Sequence, residues 1–81
     1  MEVIITPQAE KDLLRLPKDK LQKIVKKIAF LESEPFLGKK LSGKLSGLRS
    51  LRLWPYRVIY LVKGTNRIYV VSVLHRQGSY K

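Results

Sequence analysis

Three runs of β-type residues, at about 48–54, 56–62 and 67–75, fill the second half of this chain. Little separates them beyond Pro55 and the hairpin-type triplet Gly64-Thr65-Asn66. Parallel strands need a crossover of about a dozen residues or more, so runs joined this tightly fold back on one another as an antiparallel meander. Pro55 has no N–H to give a ladder and belongs at a strand end or turn.

Upstream the period changes. Glu2-Val-Ile-Ile-Thr6 is a short β-type run, and Thr6, Pro7 and Glu10 read as a helix start with Pro at the first helical position. The first helix is predicted over about Pro7 to Leu16, burying Ala9, Leu13 and Leu16, with Pro17 interrupting it. The second is predicted over about Lys18 to Ser33, where Leu21, Ile24, Val25, Ile28 and Leu31 share one face. Residues 34–50 hold three glycines and one proline and read as an extended connection. The expected fold class is α+β in one domain over residues 1–81: N-terminal strand, helical hairpin, then a three-stranded antiparallel meander, with both helices on one face of the sheet. The first strand has to pair beside the meander, because a lone strand is not viable.

Alternation then assigns faces. Tyr56, Val58, Tyr60 and Val62 alternate with Arg57, Ile59 and Leu61, and Arg52 alternates with Leu51 and Leu53. Arginines are poor candidates for burial beneath helices, so Arg52 and Arg57 are expected on the uncovered face. Trp54, beside Pro55, reads as a packing residue.

Charge is distributed unevenly. All six acids lie in residues 1–34 with seven bases, whereas residues 35–81 carry ten bases and no acid. A field this one-sided favours a polyanionic partner: nucleic acid, an acidic protein or an anionic surface. The same distribution restricts the chemistry, since a site built in the basic half has no carboxylate for proton transfer or metal binding. With one His and no Cys there is no ligand set for zinc, no disulfide framework and no cysteine nucleophile. No cofactor is expected. Lys20, Lys23, Lys26 and Lys27 fall on the outer side of the second helix and read as a solvated face. No apolar run approaches the ~20 residues that span a membrane. The start of the chain shows no signal-peptide pattern, and a cytoplasmic protein is expected.

Ala9-Glu10-Lys11-Asp12-Leu13, Leu41-Ser-Gly-Lys-Leu-Ser-Gly-Leu-Arg-Ser-Leu-Arg-Leu53, Tyr56-Arg57-Val58-Ile59-Tyr60, and His75-Arg76 followed by Tyr80 together span nearly the whole chain. In order and spacing they resemble the RelE/ParE toxin superfamily, closest to its RelE-type mRNA interferases. That resemblance implies a toxin of a type II toxin–antitoxin system that cleaves mRNA in the ribosomal A site, touching both mRNA and ribosomal RNA. It also implies neutralisation by an acidic antitoxin in a hetero-oligomer. Carried over position by position, it points to Arg57, Arg76, His75 and Tyr80 as catalytic residues. Arg52 and Arg49 sit where relatives carry basic residues near the scissile phosphate, and Lys39, Lys40 and Lys44 would hold the RNA backbone.

RNA brings its own nucleophile, so such a site has to align the 2′-hydroxyl, stabilise charge on the phosphorane and move one proton. Guanidinium groups suit the second task, and histidine is the side chain that ordinarily titrates near neutrality. A tyrosine exchanges protons there only if surrounding cations lower its pKa; otherwise it can stack on a base. Taken singly, His75 also reads as a hydrogen-bonded surface histidine and Arg57 as a cross-strand partner. The alternatives to an endoribonuclease are a ParE-like inhibitor of DNA gyrase, or a degenerate family member that only binds nucleic acid.

Overall fold

Glu2–Ile5 forms strand β1, and Thr6 turns the end of that strand into the start of a helix. Its backbone stays extended while its hydroxyl accepts the Ala9 N–H, at 3.3 Å, and Pro7 occupies the first helical position. Helix α1 (Pro7–Leu14) closes two residues earlier than expected, because the residue before Pro17 is biased away from helical backbone. Helix α2 (Lys18–Phe30) also stops short of Ser33. Its final turn tightens into bonds from Leu31, Glu32 and Ser33 N–H to Ile28, Ala29 and Phe30 carbonyls. The computed structural model describes residues 2–41, 43 and 47–75.

The remaining strands are β2 (Lys39–Lys40), β3 (Arg49–Leu53), β4 (Tyr56–Lys63) and β5 (Arg67–His75). They form one five-stranded sheet in the order β1-β5-β4-β3-β2, antiparallel except for β1, which runs parallel to β5. The meander and the pairing of β1 are as the sequence predicts. The connection over 34–50 is not wholly without strand structure, because Lys39 and Lys40 pair with Ser50 and Arg49 and add an edge to β3. A two-residue strand carries no alternation that a sequence can display.

One irregularity sets the geometry of β5. The β4–β5 register shifts between Ile59 and Tyr60, so that Ile59 faces Ser72 and Tyr60 faces Val70, leaving Val71 as an extra residue. Thr6 sits on this bulge, its hydroxyl donating to the Val70 carbonyl at 2.7 Å with the Val71 carbonyl at 3.0 Å. Beyond it, the Val73 N–H donates to Asp12 Oδ2 at 2.9 Å, so α1 completes a strand edge that β1 does not reach. Gln8 Nε2 holds the other Asp12 oxygen at 3.0 Å. Asp12→Ala is expected to cost about 1–3 kcal/mol by leaving that N–H without its acceptor, and Asp12→Asn, which keeps one, distinctly less. Urea denaturation of both variants checks this.

The core lies between the helices and one face of the sheet. Ala9, Ile24, Ile28 and Leu31 meet Leu51, Val58, Tyr60, Ile68, Val70 and Val73 there. Leu13 and Leu16 pack against it half-buried. Val25, expected on the buried face of α2, is 47% exposed. It stands about 100° round the helix from Ile24, where the apolar stripe has already left the sheet. Ile59, on the opposite face, is nevertheless buried, since β4 is central and has strands on both sides. Among the described residues, no helix is long and apolar enough to cross a membrane.

Candidate nucleic-acid interface

The β3–β4 register brings Arg52 directly opposite Arg57. Both alternate with residues of the core face, Leu51 and Val58, so both guanidinium-bearing positions project from the sheet face away from the helices, as expected. Like charges directly opposed across a ladder destabilise a sheet.

Around this pair the chain forms a groove of about 700 Å³, lined by Lys27, Lys39, Lys40, Arg52 and Arg57 together with Gly38, Ser50 and their apolar neighbours. Among the described residues, none that lines it is acidic. The groove wraps the edge of β3 where β2 no longer pairs with it, and it continues toward α2 at Lys27. Lys27 was predicted as part of a solvated face, yet it stands on the rim of the groove, with its ammonium 5.7 Å from the Phe30 ring centroid. It lies three residues beyond the buried Ile24, so it flanks the core stripe on the helix surface instead of opposing it. Its place beside β2 could not be read without the tertiary packing.

Arg49 occupies a different environment. Its Nη1 donates to the Gly38 carbonyl at 2.8 Å and lies 3.4 Å from the Phe36 carbonyl, and the guanidinium sits 4.8 Å from the Phe36 ring centroid. Its cross-strand partner is Tyr60, which is fully buried. The Tyr60 hydroxyl accepts the Gly38 N–H at 2.8 Å and donates to the Pro35 carbonyl at 2.9 Å. Burial raises the Tyr60 pKa above its ordinary 10.0, with the Gly38 N–H and the Arg49 charge pulling the other way. A tyrosine raised in this way contributes stability that is present below its unfolded pKa and lost as pH climbs through the folded value, in the alkaline range.

His75 ends β5 opposite Tyr56, with the two rings edge-to-face at 5.2 Å between centroids. Leu74, one residue earlier, is the partner of Arg57. The pleat therefore sets His75 and Arg57 at neighbouring register positions on opposite faces of the sheet. Lys44, Arg76 and Tyr80 lie outside the described residues. Trp54 is 69% exposed at the β3–β4 turn, where the Trp54–Pro55 peptide is cis, and does not pack as expected.

Residues 3–80 match the family described as ParE toxin of type II toxin-antitoxin system, parDE. The chain belongs to the RelE/ParE family of toxins. It is 36% identical over 83 residues to Toxin RelE of Mycobacterium tuberculosis, an alignment covering 98% of this chain and 84% of that protein. Its fold superposes with a TM-score of 0.86 on a chain of the toxin–antitoxin complex RelBE2 from M. tuberculosis, at 32% identity over 93% of this chain and 96% of the other. An archaeal RelE–RelB complex from Pyrococcus horikoshii gives a TM-score of 0.76 at 29% identity, covering 96% of this chain and 97% of that one. These matches bear out the family resemblance carried by the sequence motifs and the RelE-like α+β fold.

Proposed function

We propose that this RelE/ParE toxin is a ribosome-dependent mRNA endoribonuclease acting in the cytoplasm, and that an acidic antitoxin neutralises it by covering the basic groove. The observation that carries this reading is the Arg52–Arg57 opposition on a groove whose other charges, Lys27, Lys39 and Lys40, are all positive. A phosphodiester lying between the two guanidinium groups receives hydrogen bonds to its non-bridging oxygens from both.

In this mechanism the ribose 2′-oxygen attacks the adjacent phosphorus, the bond from phosphorus to the 5′-oxygen breaks, and the products are a 2′,3′-cyclic phosphate and a free 5′-hydroxyl. One proton leaves the 2′-hydroxyl and one reaches the departing 5′-oxygen. Arg57, joined by Arg52 and Arg76, stabilises the pentacoordinate phosphorane as its negative charge grows. His75 and Tyr80 are the proton-transfer candidates. The pleat sets His75 on the face opposite Arg57, so the proton-transfer role is left to direct test of both residues. Lys39, Lys40 and Lys44 hold the message along its backbone. Toxin and antitoxin would associate less tightly as salt is added, because the contact is between opposite charges.

Primer extension on a defined mRNA in a reconstituted translation system tests the reading. Discrete cuts that appear only on translating ribosomes are the expected result. The family match is described as a ParE toxin, which favours DNA gyrase as the second reading. An intact message together with blocked supercoiling would establish that alternative, and an intact message with normal supercoiling would leave nucleic-acid binding alone.

A further inference from the structure

We propose that Tyr60 and Arg49 are positioning residues: they clamp the backbone of residues 35–38 and thereby hold Lys39 and Lys40 on the rim of the groove that Arg52 and Arg57 also line, without touching RNA themselves. The inference rests on the RNA-binding reading of the groove and adds which residues assemble it.

Strand β2 is two residues long, and its ladder to β3 consists of the Lys39–Ser50 and Lys40–Arg49 pairs. So short an edge strand contributes little pairing of its own, and both of its side chains are exposed lysines that repel the neighbouring cations. Downstream, the Leu41 N–H donates to the Leu48 carbonyl at 3.0 Å, and the side-chain restraint lies one residue upstream. The buried Tyr60 hydroxyl spans from the Pro35 carbonyl to the Gly38 N–H, and Arg49 takes the Gly38 carbonyl, so both polar groups of Gly38 are bound by side chains of the β3–β4 ladder. Arg49 and Tyr60 are themselves a cross-strand pair, so the two halves of the clamp come from one rung.

The residue being clamped is a glycine for a steric reason. A Cβ at position 38 would lie 2.7 Å from Tyr60 Cε1 and from its hydroxyl oxygen, and 3.0 Å from the Ser50 carbonyl. Only a backbone without a side chain approaches the tyrosine closely enough to be held. Stacking of the Arg49 guanidinium on Phe36 adds a further restraint and keeps that charge turned toward the segment it secures. Gly38, Lys39 and Lys40 all line the groove, so displacement of the clamped segment is transmitted to the phosphate-facing charges with no intervening linker.

The salt dependence of RNA binding separates positioning from direct contact and from general loosening. On single strands each phosphate contact contributes about 0.7 to the slope of log affinity against log salt. Binding of a short single-stranded oligoribonucleotide is measured across a salt series for the wild type, Tyr60→Phe, Arg49→Met, the Lys39→Ala/Lys40→Ala double variant and the combined variants. Circular dichroism melting confirms that each is folded at the assay temperature. Tyr60→Phe removes no charge, yet is expected to flatten the slope by about 0.7–1.4, equivalent to one or two lost contacts. In the double-lysine background neither Tyr60→Phe nor Arg49→Met is expected to change the slope again. An unchanged slope in Tyr60→Phe overturns the clamp, as does a further fall on adding Arg49→Met to the double-lysine variant, which would place Arg49 on the RNA. Arg49→Met gives an independent arm if Tyr60→Phe is too unstable to assay. If the wild type shows no salt-dependent binding, the RNA reading itself fails, and the positioning role with it.

Discussion

Arg57→Ala is expected to slow cleavage of mRNA on the ribosome by about 10²–10³-fold while the protein stays folded, the loss seen when one preorganised donor to a developing negative charge is removed. The stability expectation follows from the register. Arg57 projects from the face away from the core, so its truncation leaves the packed side of the sheet intact. Arg57→Lys keeps the charge and loses the planar fork, and it is expected to fall between the two, because a lysine cannot grip two phosphate oxygens at once. Quantified primer extension over a time course, with thermal melts of each variant, reads both effects. Cutting by Arg57→Ala at about the wild-type rate would move the reacting phosphate elsewhere on the molecule. The same assay on His75→Ala and Tyr80→Phe identifies the proton-transfer group.

The second large effect is on folding. Leu31 closes α2 with no exposed surface, against a core that the sheet supplies from the other side. Leu31→Ala is expected to cost about 2–5 kcal/mol, the lost transfer free energy plus the cavity left behind. For a domain this small, total stability stands at the lower end of about 5–15 kcal/mol, so the variant gives up a large fraction of it. The corresponding fall in melting temperature is about 8–40 °C. Val25→Ala, only six residues away on the same helix but half exposed, is expected to stay within about 0.5 kcal/mol. Guanidinium denaturation of the two side by side decides the matter, and equal losses would mean that the assigned helix face is wrong.

Much of this architecture was legible before any coordinates. Short turns between long β-type runs dictated the meander, the Ile24, Ile28 and Leu31 spacing dictated which side of α2 is buried, and alternation in β4 put Arg57 outside while Val58 and Tyr60 went in. Helix ends were less legible, since the last turn of α2 shifts to tighter bonds that leave no mark on composition. Strand β2 was invisible because two residues display no period. Trp54 misled because an indole usually buries, whereas this one, at the β3–β4 turn, keeps most of its surface exposed.

The candidate site divides along the same line. Sequence by itself determined that residues 35–81 carry only positive charge, that the fold is α+β, and that Arg52 and Arg57 avoid the core, since these depend on counts, on local periodicity and on the cost of burying a charge. Only the tertiary structure decided that those arginines oppose each other, because register depends on where the turn places both strands. It also decided that Lys27 joins a groove with Lys39 and Lys40, and that Arg49 turns toward Gly38. Those placements arise between residues distant in sequence, whose proximity is settled by packing α2 and the 35–38 segment against the sheet and has no counterpart in any local pattern of the chain.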